Sequence, residues 1–272
     1  MHDLIQAIRE QKAMLFVGAG LSKNLGLPTF DELINHLAEE LGFDPQVFHL
    51  SGDYLSLAEY YRIKKGSLGS LRSWMDRTWH DSKIDIKQSE IHKSIVQLKF
   101  PIIYTTNYDR WLEKSFEAYD IKFSKITNVA DIAKIRNGAT QIVKLHGDFD
   151  DDASIVLTES SYFDRLNFES PLDIKLRADT LGRTILFIGY SLTDINIRYL
   201  LYRLHKQWQS PDVEYARPRS YVFLSRPNLI QEEVLKARGI EPIISSEDDP
   251  RQGLESFLKD LLNEAYGQTT DY

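Results

Sequence analysis

The 272-residue sequence contains no cysteine. Disulfides, thiol nucleophiles and every zinc site built on thiolates are thereby excluded. Its seven histidines are scattered, with no pair at the helical spacing of a metal site, so neither structural nor catalytic zinc is expected. Long apolar runs are missing too. Nothing approaches the roughly 20 residues that cross a bilayer, and the N-terminal MHDLIQAIREQKA is charged throughout, unlike a signal peptide. The expectation is a soluble, intracellular, cytoplasmic protein with no membrane contact. Basic charge is also short. Lys and Arg number 33 against 40 Asp and Glu, a net charge of −7, which leaves no electrostatic footprint for direct nucleic-acid binding. No internal repeat or low-complexity segment is evident.

What is present is a sizeable core, since 42% of the residues are hydrophobic. The organising stretch is Met14 to Phe30, MLFVGAGLSKNLGLPTF. Met14 to Val17 reads as a buried strand that breaks at Gly18-Ala19-Gly20, where the lack of side-chain bulk lets the backbone turn tightly and approach a ligand. This outlines a phosphate cradle, with Ser22 on the far side of the loop. Gly26-Leu27-Pro28 forces a second turn before Thr29 caps a new helix. A dinucleotide fingerprint would need a third glycine where Lys23 stands, and an acidic residue about 20 positions on at the end of a second strand. Both are absent, which argues against hydride transfer.

Helical periodicity covers Asp3 to Gln11 and Asp31 to Leu41, the latter ended by Gly42. Between Asp44 and Lys99 only helical patterns occur, which predicts a helical insert over about 44–99. Strands are expected at Ile102 to Thr105, Gln141 to Leu145, Ser154 to Leu157, Thr184 to Ile188, Ser220 to Leu224 and Glu241 to Ile244. Helices are expected at Tyr108 to Tyr119, Glu159 to Leu166, Pro171 to Leu181, Asp194 to Gln207, Ile230 to Arg238 and Pro250 to Tyr266, with 159–181 as a smaller helical segment. The acidic turn Asp150-Asp151-Asp152 reads as a solvated loop with the capacity to catch a cation. The alternation predicts an α/β fold: a Rossmann-like, mostly parallel sheet covered by helices on both faces, in one domain over 1–272. Ligands of such sheets bind beyond the carboxyl ends of the strands.

Four of those ends carry small or polar groups: Gly18-Ala19-Gly20-Leu21-Ser22, Thr105-Thr106-Asn107-Tyr108-Asp109, Leu145-His146-Gly147-Asp148 and Gly189-Tyr190-Ser191-Leu192-Thr193-Asp194. GAGxS followed by GLPTF, TTNYD, KLHG and FIGYSLTD, in that order, resembles the sirtuin superfamily. More closely, it is similar to the sirtuin-like NAD-hydrolase domains of bacterial anti-phage defence systems. The likeness runs from Met14 to Asp194. It departs from the deacylase sirtuins, which carry a glutamine where this chain has Thr106, a four-cysteine zinc module after the histidine, and an Asp-Phe-Arg element where this chain has Thr29-Phe30-Asp31.

The resemblance implies NAD+ as substrate, Asn107 and His146 as catalytic residues, and Gly18, Ala19, Gly20, Ser22, Thr29, Phe30, Asp109, Gly189, Ser191 and Asp194 as residues that bind it. Asp109 matches the position that holds the nicotinamide carboxamide, and Ser191 and Asp194 match the adenosine side. The chemistry agrees with the residue types. Nicotinamide leaves from a pyridinium, so no general acid is needed, and the transition state is oxocarbenium-like as in other glycosyl transfers. An asparagine offers donor and acceptor to orient a ribose, and a histidine, with an ordinary pKa of about 6.5, can take a proton from a hydroxyl or a water. From the residues alone, His146 is also readable as a hydrogen-bonded structural residue, Asn107 and Asp194 as helix caps, and Asp109 as an acid favoured by a helix dipole.

The first expectation is therefore an NAD glycohydrolase that depletes NAD during phage infection. The alternatives are a sirtuin-type deacylase or ADP-ribosyltransferase, of which the deacylase branch is disfavoured by the missing zinc module, and a non-catalytic sensor of NAD or ADP-ribose derivatives, disfavoured by the intact Asn107 and His146. No separate sensor domain is expected after Asp194, so control is expected from homo-oligomerisation or from a separately encoded partner. The resemblance implies a hexameric DNA-translocase-type ATPase or a short Argonaute-type protein in that role.

Overall fold

The computed structural model describes residues 1–166, 169–190, 195–208 and 216–267. At its centre are seven strands: β1 (Ala13–Val17), β2 (Ile102–Thr105), β3 (Phe123–Ile126), β4 (Thr140–Lys144), β5 (Thr184–Ile188), β6 (Ser220–Leu224) and β7 (Ile240–Ile244). They lie in the order β3-β4-β2-β1-β5-β6-β7, and every neighbouring pair is parallel. A parallel sheet is covered on both faces, so its inner strands read as unbroken apolar runs. Each residue of β1, β2, β5 and β6 is accordingly buried.

Successive side chains point to opposite faces, and two separate cores result. Leu15, Val17, Ile103, Leu186 and Ile188 pack with the helices His2–Arg9, Glu90–Gln97, Trp111–Ala118 and Pro250–Tyr266. Met14, Phe16, Tyr104, Val143, Ile185 and Phe187 pack on the other face with Leu172 and Leu176 of the helix Pro171–Leu181, and with Leu201 and Leu204 of the helix Ile195–Gln207. None of the described helices is long and apolar enough to cross a membrane.

A third core belongs to the insert. Leu33, Ile34 and Leu37 of the helix Phe30–Leu41 cluster with Phe48, Leu57, Tyr61, Leu71, Met75 and Trp79. The helix Glu90–Gln97, by contrast, contributes Ile91 and Ile95 to the sheet-facing core. The insert is thus bounded by its packing at about Leu27 and Ile86 rather than at 44 and 99. It rests on the carboxyl-end loops, because Tyr108, Trp111, Phe149, Ile155 and Leu157 belong to the same cluster.

Two strands differ from the sequence reading, one lost and one unanticipated. Ser154 to Leu157 forms no strand: Asp152–Ser154 is a short 3-10 turn, and Ile155 and Leu157 are buried as loop residues in the insert core. The strand β3, with the unremarkable sequence FSKI, is an edge strand whose first three residues are only partly buried.

Candidate functional site

The register of the sheet brings the four motifs to one level. Val17 is aligned with Thr105 on β2 and with Ile188 on β5, and Thr105 with Lys144 on β4. Gly18, Thr106, Leu145 and Gly189 are therefore the first residues past one common line, on four adjacent strands. Asn107 and His146 each stand two residues beyond it. The chain leaves β1 toward β2 on one side and reaches β5 on the other only later. Such a reversal of strand order is where open α/β sheets bind ligands.

The glycines hold the ends of β1 and β5 together. Gly18 N donates to Ile188 O at 2.9 Å and Gly20 N to Gly189 O at 2.8 Å. Gly189 has φ of +70°, a conformation that favours glycine. Two amides of the expected cradle are thus occupied within the protein, and the turn continues directly into a short helix, Ala19–Lys23. Ser22 lies in that helix and is buried, not on the far side of a loop.

Asn107 is the centre of the polar cluster. Its side-chain amide nitrogen donates to Gly18 O at 3.1 Å and to Ser22 Oγ at 2.9 Å, and its backbone N–H donates to Thr105 Oγ1 at 3.0 Å. A carbonyl oxygen only accepts, so Gly18 fixes which end of the amide faces it. The other end, Asn107 Oδ1, is buried and has no hydrogen-bond partner. Arg110, not Asn107, precedes the helix Trp111–Ala118, so the expectation of a helix cap does not apply. Ser22 Oγ donates to Asp109 Oδ2 at 2.6 Å, and Asp109 Oδ1 accepts from Trp111 N at 3.0 Å. Asp109 thereby does part of the work of a helix-start acid while sitting just outside the helix.

His146 is buried, with 3% of its surface exposed. Its ring meets that of Tyr162 edge-on at 5.2 Å, and its carbonyl accepts from Val156 N at 2.9 Å. Tyr162 belongs to the helix Glu159–Leu166, which packs on the insert helix Tyr54–Lys65. Gly147 has φ of +91°, and a Cβ there would lie 2.2 Å from Ser154 O. Only glycine lets the chain turn away after His146.

Lys144 was not anticipated. Its ammonium, fully buried, donates to the carbonyl oxygens of Tyr108 at 2.9 Å and Asp109 at 2.6 Å. It also pairs with Glu113 at 3.1 Å and Asp148 at 2.7 Å. One cation thus joins the loop that carries Asn107 to the loop that carries His146. Burial raises the Glu113 carboxyl above its ordinary value, against the pull of Lys144. The signal in the sequence was a lysine inside the apolar run of a buried strand, QIVKL. His92, also fully buried, is pushed down to about 4 by burial, against the field of Asp109.

The remaining sequence candidates fall elsewhere. Thr29 caps the helix Phe30–Leu41 in a reciprocal arrangement with Glu32, and Phe30 is 37% exposed beside Tyr54. Ser191 and Asp194 lie outside the described residues. The acidic turn is committed to ion pairs: Asp150 with Lys125 and Arg110, Asp152 with Arg72. Among the described residues, no group of three or more His, Asp or Glu is placed to hold a metal ion.

The family model of the SIR2-like domain matches residues 101–243, just over half of the chain. The chain belongs to the SIR2-like family. Among its relatives, the SIR2-like chain is 36% identical over 202 residues to the NAD(+) hydrolase ThsA of Enterococcus faecium, covering 72% of this chain and 40% of that protein. It is 30% identical over 212 residues to the NAD(+) hydrolase ThsA of Bacillus cereus, covering 76% and 43%. To the defence-associated sirtuin 2 of Bacillus subtilis it is 30% identical over 209 residues, covering 73% and 20%. The chain thus spans about two fifths of the ThsA proteins and a fifth of the defence-associated sirtuin. A crystal structure of a Sir2 homologue in complex with NAD shares the fold, with a TM-score of 0.51 at 14% identity over 97% of this chain and 93% of that one.

Proposed function

We propose that residues 1–272 form one NAD glycohydrolase domain, which cleaves NAD+ to nicotinamide and ADP-ribose and serves anti-phage defence by depleting NAD. The observation that carries this reading is Asn107: both amide hydrogens are directed into the protein, and the buried Oδ1 is left without a partner. A buried polar atom without a partner costs about 1–3 kcal/mol, and a ligand that donates to it recovers that cost. The names of the ThsA relatives supply the ligand class.

In this reading, Asn107 Oδ1 accepts from a ribose hydroxyl or the attacking water and places negative charge near the developing oxocarbenium ion. The C1′–N bond breaks, its electron pair neutralises the pyridinium, and nicotinamide leaves without protonation. Water forms the new bond to C1′, and its proton passes to His146 and then to solvent. The strand ends around Gly18, Ala19, Gly20 and Gly189 receive the dinucleotide, with Ser191 and Asp194 on the adenosine side and Thr29 and Phe30 at the rim. Tyr162 shields His146 from bulk water. No zinc takes part.

Such an activity is toxic unless restrained. We propose that self-assembly or a separately encoded partner controls it in the cytoplasm, the candidates being a hexameric DNA-translocase-type ATPase and a short Argonaute-type protein. The exposed apolar side chains of Val47, Leu50 and Ile63 on the insert support a contact surface there.

The test is product analysis. Protein incubated with NAD+, alone and with a candidate partner, is expected to yield nicotinamide and ADP-ribose in equal amounts, unaffected by an acylated lysine peptide. Release that depends on the peptide would favour deacylation, and saturable binding without release would favour a sensor.

A further inference from the structure

We infer that His80 is a positioning residue for the site: braced by Asp76, it fastens the loop that carries Asn107 to the helical insert. The inference rests on the reading of Asn107 given above and names what holds that loop in place. His80 directly follows the insert helix Gly69–Trp79, and its side chain is 8% exposed. Its ring centre lies 5.8 Å from that of Trp111 and 5.7 Å from that of Phe149. These two rings belong to the stretches that follow Asn107 and His146.

The place of the ring proton follows from the partners. A backbone N–H only donates, so His80 Nε2, 2.9 Å from Arg110 N, is the acceptor. The proton of the neutral imidazole is then on Nδ1. There it faces Asp76 Oδ1 at 2.8 Å and Asp76 O at 3.0 Å, both of which only accept. One tautomer satisfies both sides of the ring. Asp76 also takes the Arg110 guanidinium, Nη1 on Oδ1 at 2.7 Å and Nη2 on Oδ2 at 3.3 Å. Arg110 is therefore gripped twice from one turn of the insert, at its backbone by His80 and at its side chain by Asp76.

The grip matters because of where Arg110 stands. Asn107 to Asp109 lie between the end of β2 and the helix Trp111–Ala118, in neither a strand nor a helix. Other bonds must fix their backbone. The Asp109 carbonyl and the Arg110 N–H are the two ends of one planar peptide group. Lys144 Nζ donates to its oxygen at 2.6 Å from the side of the sheet, and His80 accepts its hydrogen from the side of the insert. Trp111 Nε1 adds a donation to Trp79 O at 2.9 Å. Held at both ends, the peptide cannot rotate, and the orientation of Asn107 is set by how the insert helix is seated.

The experiment uses the full chain, with the partner if release requires it, and compares nicotinamide release at equal folded concentration. His80→Phe keeps the ring packing and removes the acceptor, whereas His80→Gln returns an acceptor at about the reach of Nε2. His80→Phe is expected to lower kcat/KM for NAD+ about tenfold to a hundredfold, and His80→Gln to recover it to within about fivefold of the wild type. Asp76→Ala, at a partly exposed position, is expected to lower it about tenfold, and the double variant Asp76→Ala/His80→Phe to fall less than about threefold below His80→Phe, because both act on one loop. A folded His80→Phe with wild-type turnover, a His80→Gln no better than His80→Phe, or losses that multiply in the double variant would overturn the inference.

Two readouts are free of turnover: hydrogen exchange at the Arg110 amide, and the side-chain NH2 resonance of Asn107, assigned by its absence in Asn107→Ala. In His80→Phe the amide is expected to exchange at least about tenfold faster and the resonance to move, with both near their wild-type values in His80→Gln. If His80→Phe does not fold, Asp76→Ala carries the same readouts in the same direction. Exchange and resonance that stay unchanged overturn the inference even if the protein releases no nicotinamide. Changes in both, without release by the wild type, set aside only the hydrolase reading.

Discussion

Lys144 Nζ donates to the carbonyl oxygen of Asp109 across 2.6 Å in the protein interior. The same ammonium faces the carboxylates of Glu113 and Asp148. The loops that carry Asn107 and His146, which come from different strands, are therefore joined by one buried charge. Removing it with Lys144→Met leaves two buried carboxylates short of a cation. The expected cost is about 3–5 kcal/mol of unfolding free energy, the usual penalty for breaking a buried ion pair from one side. A denaturant titration checks it, and an unchanged midpoint would mean that the loops are held by other contacts.

The junction of β1 and β5 predicts a sharp contrast between two glycines. A Cβ at Gly18 would lie 2.5 Å from Gly189 O, a backbone atom with no room to withdraw. At Gly26 φ is +80° and nothing lies within 4 Å of the added atom. Gly18→Ala is therefore expected to cost about 1–3 kcal/mol or more through overpacking and to weaken NAD+ binding with it. Gly26→Ala is expected to cost about 1–2 kcal/mol of backbone strain alone, with binding retained. Thermal melts and a binding isotherm separate the two.

Acid sensitivity is expected where the insert meets the helix that carries Tyr162. Glu59 accepts from Ser160 N at 3.1 Å and Ser160 Oγ at 2.8 Å, and from Arg62 Nε at 3.0 Å. Burial acts to raise its carboxyl, but the bonds from Arg62 and Ser160 outweigh it and hold the group at about 2, from 4.5. A folded value below the unfolded one means stabilisation that is complete above about pH 4.5 and is lost as the pH falls toward 2. Melting temperatures of the wild type and Glu59→Gln should therefore differ most above pH 5 and converge at low pH. Parallel curves over that range would contradict the assignment.

Much of this architecture was legible in the sequence, because its signals are local. The apolar runs ending at Val17 and Ile188 marked the central strands, and Thr29 and Gly42 marked the ends of one helix by cap chemistry. The order of the glycine, asparagine and histidine motifs marked the family. The rest depends on contacts that span the chain. The edge strand FSKI has no unbroken apolar run to announce it, and Ile155 and Leu157 are apolar because they enter the insert core, not because they pair in the sheet. The bond between Ser22 and Asp109 bridges 87 residues, and the role of Lys144 emerges only when two loops close around it.

The central claim is that Asn107 and His146 together break the glycosidic bond of NAD+. Its most direct test is the initial rate of nicotinamide release by the wild type, Asn107→Ala and His146→Ala at equal folded concentration, with melting temperature as the control for fold. The account predicts a rate lowered by about a hundredfold to ten-thousandfold in each variant, the usual worth of a positioned acid–base or electrostatic group. Variants that fold normally and release nicotinamide at the wild-type rate would contradict it.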